Sequence, residues 1–186
     1  NHTYQQGWIQ NSANYFFHNN FGFGALDLAK AVELAETYDE YLPPMKDLIH
    51  SSSKEWYYKN ENLNLEIPDN NHTGLTQLMD IHHDYIIESV QLKIKISHDF
   101  ISDVGIELIS PSGTKSILMP INSNLDGNII NHKFLTNAFY GERSLGKWRL
   151  KVVDGQENKL GFLQNWALNI FGHNKDDQIE DITELL

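Results

Sequence analysis

The sequence predicts a mainly β protein, a jelly-roll β-sandwich with a helical segment ahead of it. Three observations carry this reading. Between Ile87 and Ser97, Val90, Leu92, Ile94 and Ile96 alternate with Gln91, Lys93, Lys95 and Ser97. That is the period of a half-buried antiparallel strand. Trp148, Leu150 and Val152 repeat the pattern against Arg149 and Lys151, and Trp166, Leu168 and Ile170 repeat it against Ala167 and Asn169. No helical period follows Pro44, and turn residues separate the short apolar runs, as in a sandwich.

Taken in order, residues 1–17 mix Tyr4, Trp8, Ile9, Tyr15, Phe16 and Phe17 with Asn and Gln. An isolated tail could not bury so much aromatic surface, so the stretch reads as cut from something larger. Phe21-Gly22-Phe23-Gly24 follows, and a helix is expected from about Ala25. Ala25, Leu28, Ala29, Val32, Ala35 and Tyr38 form a 3.6-period stripe, with Lys30, Glu33, Glu36 and Asp39 opposite. Pro43-Pro44 ends it. Residues 43–54, rich in Pro and Ser, are the expected linker. A domain is expected over 55–173, with an edge strand near Glu55 and alternating Leu63, Leu65 and Ile67 before an Asp69-Asn70-Asn71 turn. Val104 to Ile109 and Lys115 to Leu118 are strands joined by a Ser110-Pro111-Ser112-Gly113 turn. Asn122 to Asn131 reads as a loop, and residues 174–186 as an acidic tail with Ile179, Ile182 and Leu186 at helical spacing.

Composition narrows the function. With 25 acidic against 14 basic side chains the formal charge is −11, which argues against nucleic acid or anionic lipid as partner. There is no cysteine, hence no disulfide framework and no thiolate metal site. No apolar run approaches a membrane span, and no signal peptide is expected in these residues; that of an exported protein would have been removed or would lie outside them.

Several linked motifs resemble the P domain, or homo B domain, of kexin- and furin-like subtilases. They are Ile67-Pro-Asp-Asn-Asn-His-Thr-Gly74, the Asp103 to Leu118 hairpin, Gly146-Lys-Trp-Arg-Leu-Lys-Val-Val-Asp154 and Gly161 to Gly172. The stretch from His132 to Glu142 matches as well, with Tyr140 where the family usually has tryptophan. Ahead of them, Phe21-Gly-Phe-Gly-Ala-Leu-Asp27 and its Ala-rich helix resemble the close of a subtilisin-like α/β catalytic domain, although Asn19-Asn20 stand in for the more usual His-Ser. The resemblance implies that residues 1–42 end a catalytic domain and that the sandwich is its accessory domain, stabilising the protease and tuning its response to calcium and pH. The partner would be the catalytic domain of the same parent protein, secreted or periplasmic, with a bacterial source expected.

No catalytic triad is expected in these residues. Ser, His and Asp all occur, but none stands in the turn contexts that a subtilase nucleophile and base require. Trp56, Tyr57, Tyr58, Phe139 and Tyr140 are the candidate contacts with the protease domain; in an alternative reading, a free-standing module for carbohydrate or peptide, the same rings are stacking platforms. Asp69, Asp103, Asp126 and Asp154 lie at loop or strand ends, where oxygen ligands for calcium gather, and capping or turn-making accounts for the same positions. His82 and His83 are adjacent and would point to opposite faces of a strand, so they do not chelate one zinc ion. Asn71-His72-Thr73 is a glycosylation sequon of the kind an Asn-rich chain produces by chance.

Overall fold

The computed structural model describes residues 7–36, 46–47 and 58–174. Two antiparallel sheets face each other. One runs β10-β7-β12, with the short strands β3, β4 and β5 paired along the far side of β12; the other runs β6-β11-β8-β9. Their long members are β7 (Tyr85–His98), β12 (Gly161–Asn174), β6 (Asn71–Ile81) and β11 (Gly146–Asp154). β8 (Val104–Ile109), β9 (Lys115–Met119) and β10 (Ile129–Thr136) complete the two layers, with β3 (Lys46–Asp47), β4 (Tyr58–Asn60) and β5 (Leu65–Ile67).

The alternation seen in the sequence selects the core. Val90, Leu92, Ile94 and Ile96 from one sheet and Trp148, Leu150 and Val152 from the other are fully buried in one cluster, joined by Trp166, Leu168 and Ile170. Trp148 donates its indole N–H to Ser144 O at 2.8 Å, so the one polar atom of a buried ring is satisfied. The Ser110–Gly113 turn forms between β8 and β9: Gly113 N–H donates to Ser110 O at 3.0 Å, with φ of +93° at the glycine. β12 differs from the reading of a half-exposed strand. Ala167 and Asn169 face away from the core yet are buried too.

Two other expectations change. Lys46 and Asp47, expected in the linker, pair with Gly172 and Phe171 as strand β3; the rest of residues 43–54 lies outside the described residues. The helix α1 (Leu28–Glu36) opens three residues later than expected. Asp27 is the reason: its Oδ1 accepts Lys30 N–H at 3.1 Å and its carbonyl accepts Ala31 N–H at 2.9 Å, so it caps the helix from outside. Ahead of α1, β1 (Trp8–Gln10) and β2 (Phe16–His18) form a separate two-stranded sheet, not extra strands of the sandwich.

Asparagine has a consistent structural use. Among the described residues, each non-glycine residue with positive φ is an asparagine: Asn14, Asn62, Asn64, Asn70, Asn122 and Asn158. Its short amide tolerates the left-handed region better than other side chains.

Candidate functional site

The hairpin β1–β2 is docked on the sandwich, and Asn11 organises the contact. Within the β1–β2 turn, Asn11 Oδ1 accepts the N–H groups of Ala13 at 3.1 Å and Tyr15 at 2.9 Å. Its Nδ2 crosses to the sandwich and donates to Ala138 O at 3.0 Å and Tyr140 O at 2.8 Å. Asn11 is only 4% exposed, so these partners replace water it has lost.

The sandwich answers with Glu142, 2% exposed, whose Oε1 accepts Ser12 N–H at 2.9 Å and the Thr114 hydroxyl. Gly141 sits between them with φ of +79°. A Cβ there would lie 2.8 Å from Tyr15 Cε2 and 2.9 Å from Ala13 Cβ, so both the backbone and the close approach require glycine.

Aromatic rings complete the joint. Tyr140 meets Tyr15 edge-on at 5.1 Å and Phe23 at 5.7 Å between ring centroids, and Phe23 also meets Phe17 at 5.5 Å. Such contacts favour a defined orientation beyond simple burial. Together Asn14, Tyr15, Phe16, Phe23 and Tyr140 line an open groove beside the contact. Further along the chain, α1 buries none of its residues: Leu28, Val32 and Leu34 stand 68%, 58% and 62% exposed.

The rings singled out from sequence fall in three places. Tyr140 is in the joint. Phe139 is not a surface contact: it is fully buried in the sandwich core, edge-on to Trp148 at 5.0 Å. Trp56 and Tyr57 lie outside the described residues, and Tyr58 is described only as backbone paired with Leu168. Asn11 and Glu142 were not singled out. Glu142 carried one available signal, its place beside the Tyr140-Gly141 turn; Asn11 carried none.

The four aspartates divide similarly. Asp69 Oδ2 accepts Asn158 N–H and its Oδ1 accepts Lys159 N–H, both at 3.0 Å. The Lys159 and Asn158 amides hold the Asp69 carboxyl below its ordinary value. Asp154 is fully buried, accepts Gln156 N–H at 3.1 Å, and places Oδ2 3.3 Å from His98 Nε2, off the line of a hydrogen bond. The His98 ring fills the space where a side chain at Gly161 would be, its Cδ2 only 2.2 Å from a Cβ built there. Asp103 accepts the Ser102 hydroxyl at 3.1 Å, and Asp126 is exposed in the loop before β10. Backbone capping engages both carboxyl oxygens of Asp69 but only Oδ1 of Asp154, whose buried Oδ2 accepts no hydrogen bond. Among the described residues no three His, Asp or Glu side chains form a metal-holding group, and His82-His83 adjoin Asp84, which is paired with Arg143. None of the described helices is long and apolar enough to cross a membrane.

Comparison with known proteins places this architecture. Residues 87–170 match the family model described as the proprotein convertase P-domain. The chain is 28% identical over 206 residues to an extracellular serine protease of Aeromonas sobria, covering 90% of this chain and 32% of that protein. It is 31% identical over 183 residues to proprotein convertase subtilisin/kexin type 5 of Branchiostoma californiense, covering 90% of this chain and 10% of that one. The chain therefore spans a third or less of these relatives. In the solved complex of the Aeromonas sobria serine protease with its chaperone, the protease chain aligns with a TM-score of 0.77 and 29% identity, over 90% of this chain and 33% of that one.

Proposed function

Because the sandwich is a proprotein convertase P-domain, we propose that this chain is the C-terminal part of a secreted subtilisin/kexin-like serine endopeptidase, in which the sandwich stabilises the catalytic domain. One observation supports this most directly: the hairpin β1–β2 is bolted to the sandwich by Asn11 and Glu142, while the helix that follows it, α1, buries none of its residues and leaves Leu28 and Val32 exposed. In this reading the hairpin and helix are the edge of the catalytic domain. The sandwich holds that edge, and α1 packs on the body of the protease. Covering roughly 400 Å² of apolar surface is worth on the order of 10 kcal/mol before ordering costs, comparable to the whole stability of a domain. Catalytic residues would then belong to that body.

The carbohydrate-binding alternative is not favoured, because Phe139 is inside the core and Tyr140 is engaged edge-on by Tyr15 and Phe23. Calcium enters this proposal only through the parent protease.

The test uses the full-length parent protease. Asn11→Ala leaves the Ala138 and Tyr140 carbonyls without their donor, a loss of about 1–3 kcal/mol. The expected outcome is a lower temperature of irreversible inactivation, with substrate KM unchanged. An inactivation profile identical to that of the unaltered protease would remove the stabilising role.

A further inference from the structure

The sandwich holds apolar side chains in water at the end farthest from the joint. β7 runs between the two ends. Near its start Ile87 N–H donates to Glu142 O at 2.9 Å and Ile87 O accepts Gly141 N–H at 2.7 Å; His98 closes the strand, roughly 35 Å away at extended spacing. Around His98 the chain segments are tied together. Asp99 N–H donates to Leu160 O at 3.1 Å and Asp99 Oδ2 accepts Leu160 N–H at 3.0 Å. On the other side His98 N–H donates to Asn128 O at 2.9 Å, and Ile101 N–H to Gly127 O at 3.1 Å. These bonds bring Phe100, Leu125, Ile129 and Leu160 to one end of the molecule, where they stand 51%, 49%, 56% and 59% exposed.

Apolar residues exposed singly are ordinary on a protein surface; a cluster of them on anchored loops is not. The anchoring here is close. Asp69 accepts the Asn158 and Lys159 amides, His98 Nδ1 lies 2.7 Å from Phe100 O, and Lys159 Nζ sits 4.3 Å from the centroid of the Phe100 ring. Loops held in this way keep their apolar side chains turned to solvent, and a partner that covers them loses little in ordering the chain. Charge around the cluster has one sign. Asp69, Asp99, Asp126 and Glu157 are exposed on these loops, and Lys159 is the one Lys or Arg among residues 69–70, 98–103, 122–129 and 154–160.

We propose that this end of the sandwich is a docking surface for a partner protein segment in which apolar anchors alternate with lysine or arginine. The anchors cover Phe100 and Leu160, and the cations meet the carboxylates of Asp99, Asp126 and Glu157 around them. The same charge disfavours other occupants. It repels anionic lipid and nucleic acid, and a second copy of this chain would set one acidic rim against another. This end also lies away from the joint, so contact with a catalytic domain there leaves it uncovered.

The experiment measures fluorescence anisotropy of a labelled peptide of alternating Leu and Lys against the full chain, beside a Leu and Glu peptide of the same length. The Lys peptide should bind, more weakly as salt is raised, and the Glu peptide should not. Phe100→Ser/Leu160→Ser should lower the affinity about tenfold or more, since burying one such side chain is worth about that factor. Asp126→Asn/Glu157→Gln should lower it about threefold and flatten the salt dependence, as the loss of surface ion pairs does. Leu78→Ser/Leu135→Ser removes apolar side chains exposed elsewhere on the sandwich and should bind as the unaltered chain does. Because every substituted side chain is exposed, melting temperatures should hold to within about 2 °C, which separates lost binding from lost folding. Absence of binding by the Lys peptide, equal binding in the Phe100/Leu160 variant or equal loss in the Leu78/Leu135 variant overturns the proposal. So does partition into phosphatidylcholine vesicles, or self-association in sedimentation velocity, that the Phe100/Leu160 variant abolishes, since each assigns the surface to another occupant.

Discussion

In the sandwich, Val90, Leu92, Ile94 and Ile96 are wholly removed from water, whereas Leu28, Val32 and Leu34 of α1 remain more than half exposed. Both sets are regularly spaced apolar side chains, and among the described residues only the first is buried against a second layer. The difference teaches where each region's stability resides. β7 and β11 bury their stripes within the described residues, and α1 buries none of its side chains there. Between them the hairpin is intermediate, held less by apolar burial than by Asn11 and Glu142.

The sharpest way to break this comparison is to empty the core. Trp148→Ala removes a fully buried ring, its edge contact with Phe139 and its hydrogen bond to Ser144 O. The expected loss is about 3–5 kcal/mol, read from the urea midpoint of the isolated chain. A loss below about 1 kcal/mol would mean that the sandwich does not stand on this core.

Next in size is a contrast between two contexts. Leu28→Gln/Val32→Gln keeps good helix formers or near-equivalents at exposed positions, so the isolated chain should change by no more than about 0.5 kcal/mol. In the parent protease, where the proposal has α1 covered, the same pair should cost about 1.5–3 kcal/mol per residue. Equal small effects in both would leave α1 exposed in the parent as well.

The same contrast explains what the sequence made legible. β7, β11 and β12 could be read because a strand between a core and solvent writes its environment as alternation: Val90-Gln91-Leu92-Lys93 needs no knowledge of its neighbours. β6 could not. Asn71 to Ile81 is an edge strand whose first residues are exposed on both sides, so His72, Thr73 and Gly74 carry no period. β10 is an edge as well, and its first residues, Ile129 to Asn131, close the Asn-rich stretch that reads as a loop. The burial of Phe139 is not legible either, because Asn137 to Glu142 is a turn, where side-chain direction follows no repeat. The joint was the least legible part, since Asn11 meets residues 127 and 129 positions away and nothing local marks either partner.

The smallest expected effect lies at the sandwich's far end, where the fold is held by polar caps on an exposed loop. Asp69 has its pKa lowered chiefly by the Lys159 amide, then by that of Asn158, and favours the native state as a carboxylate. The sign follows from linkage: a folded pKa below the unfolded value of 3.8 means that the stabilisation is complete above that value and is lost as the pH falls through the folded one. Hydrogen exchange at Asn158 and Lys159 should therefore show protection that declines in acid, beyond the chemical pH dependence of exchange. Asp69→Asn keeps an accepting oxygen but no charge, so its protection at those amides should be weaker at neutral pH and lack the acid decline. The core amides of β7 and β11 should keep theirs in both proteins, since loss of one exposed cap opens a loop and not the sandwich. If the Asn variant tracked the unaltered chain through the acid range, the carboxylate would not be what holds that loop, and the 154–160 turn would have to rest on buried Asp154 instead.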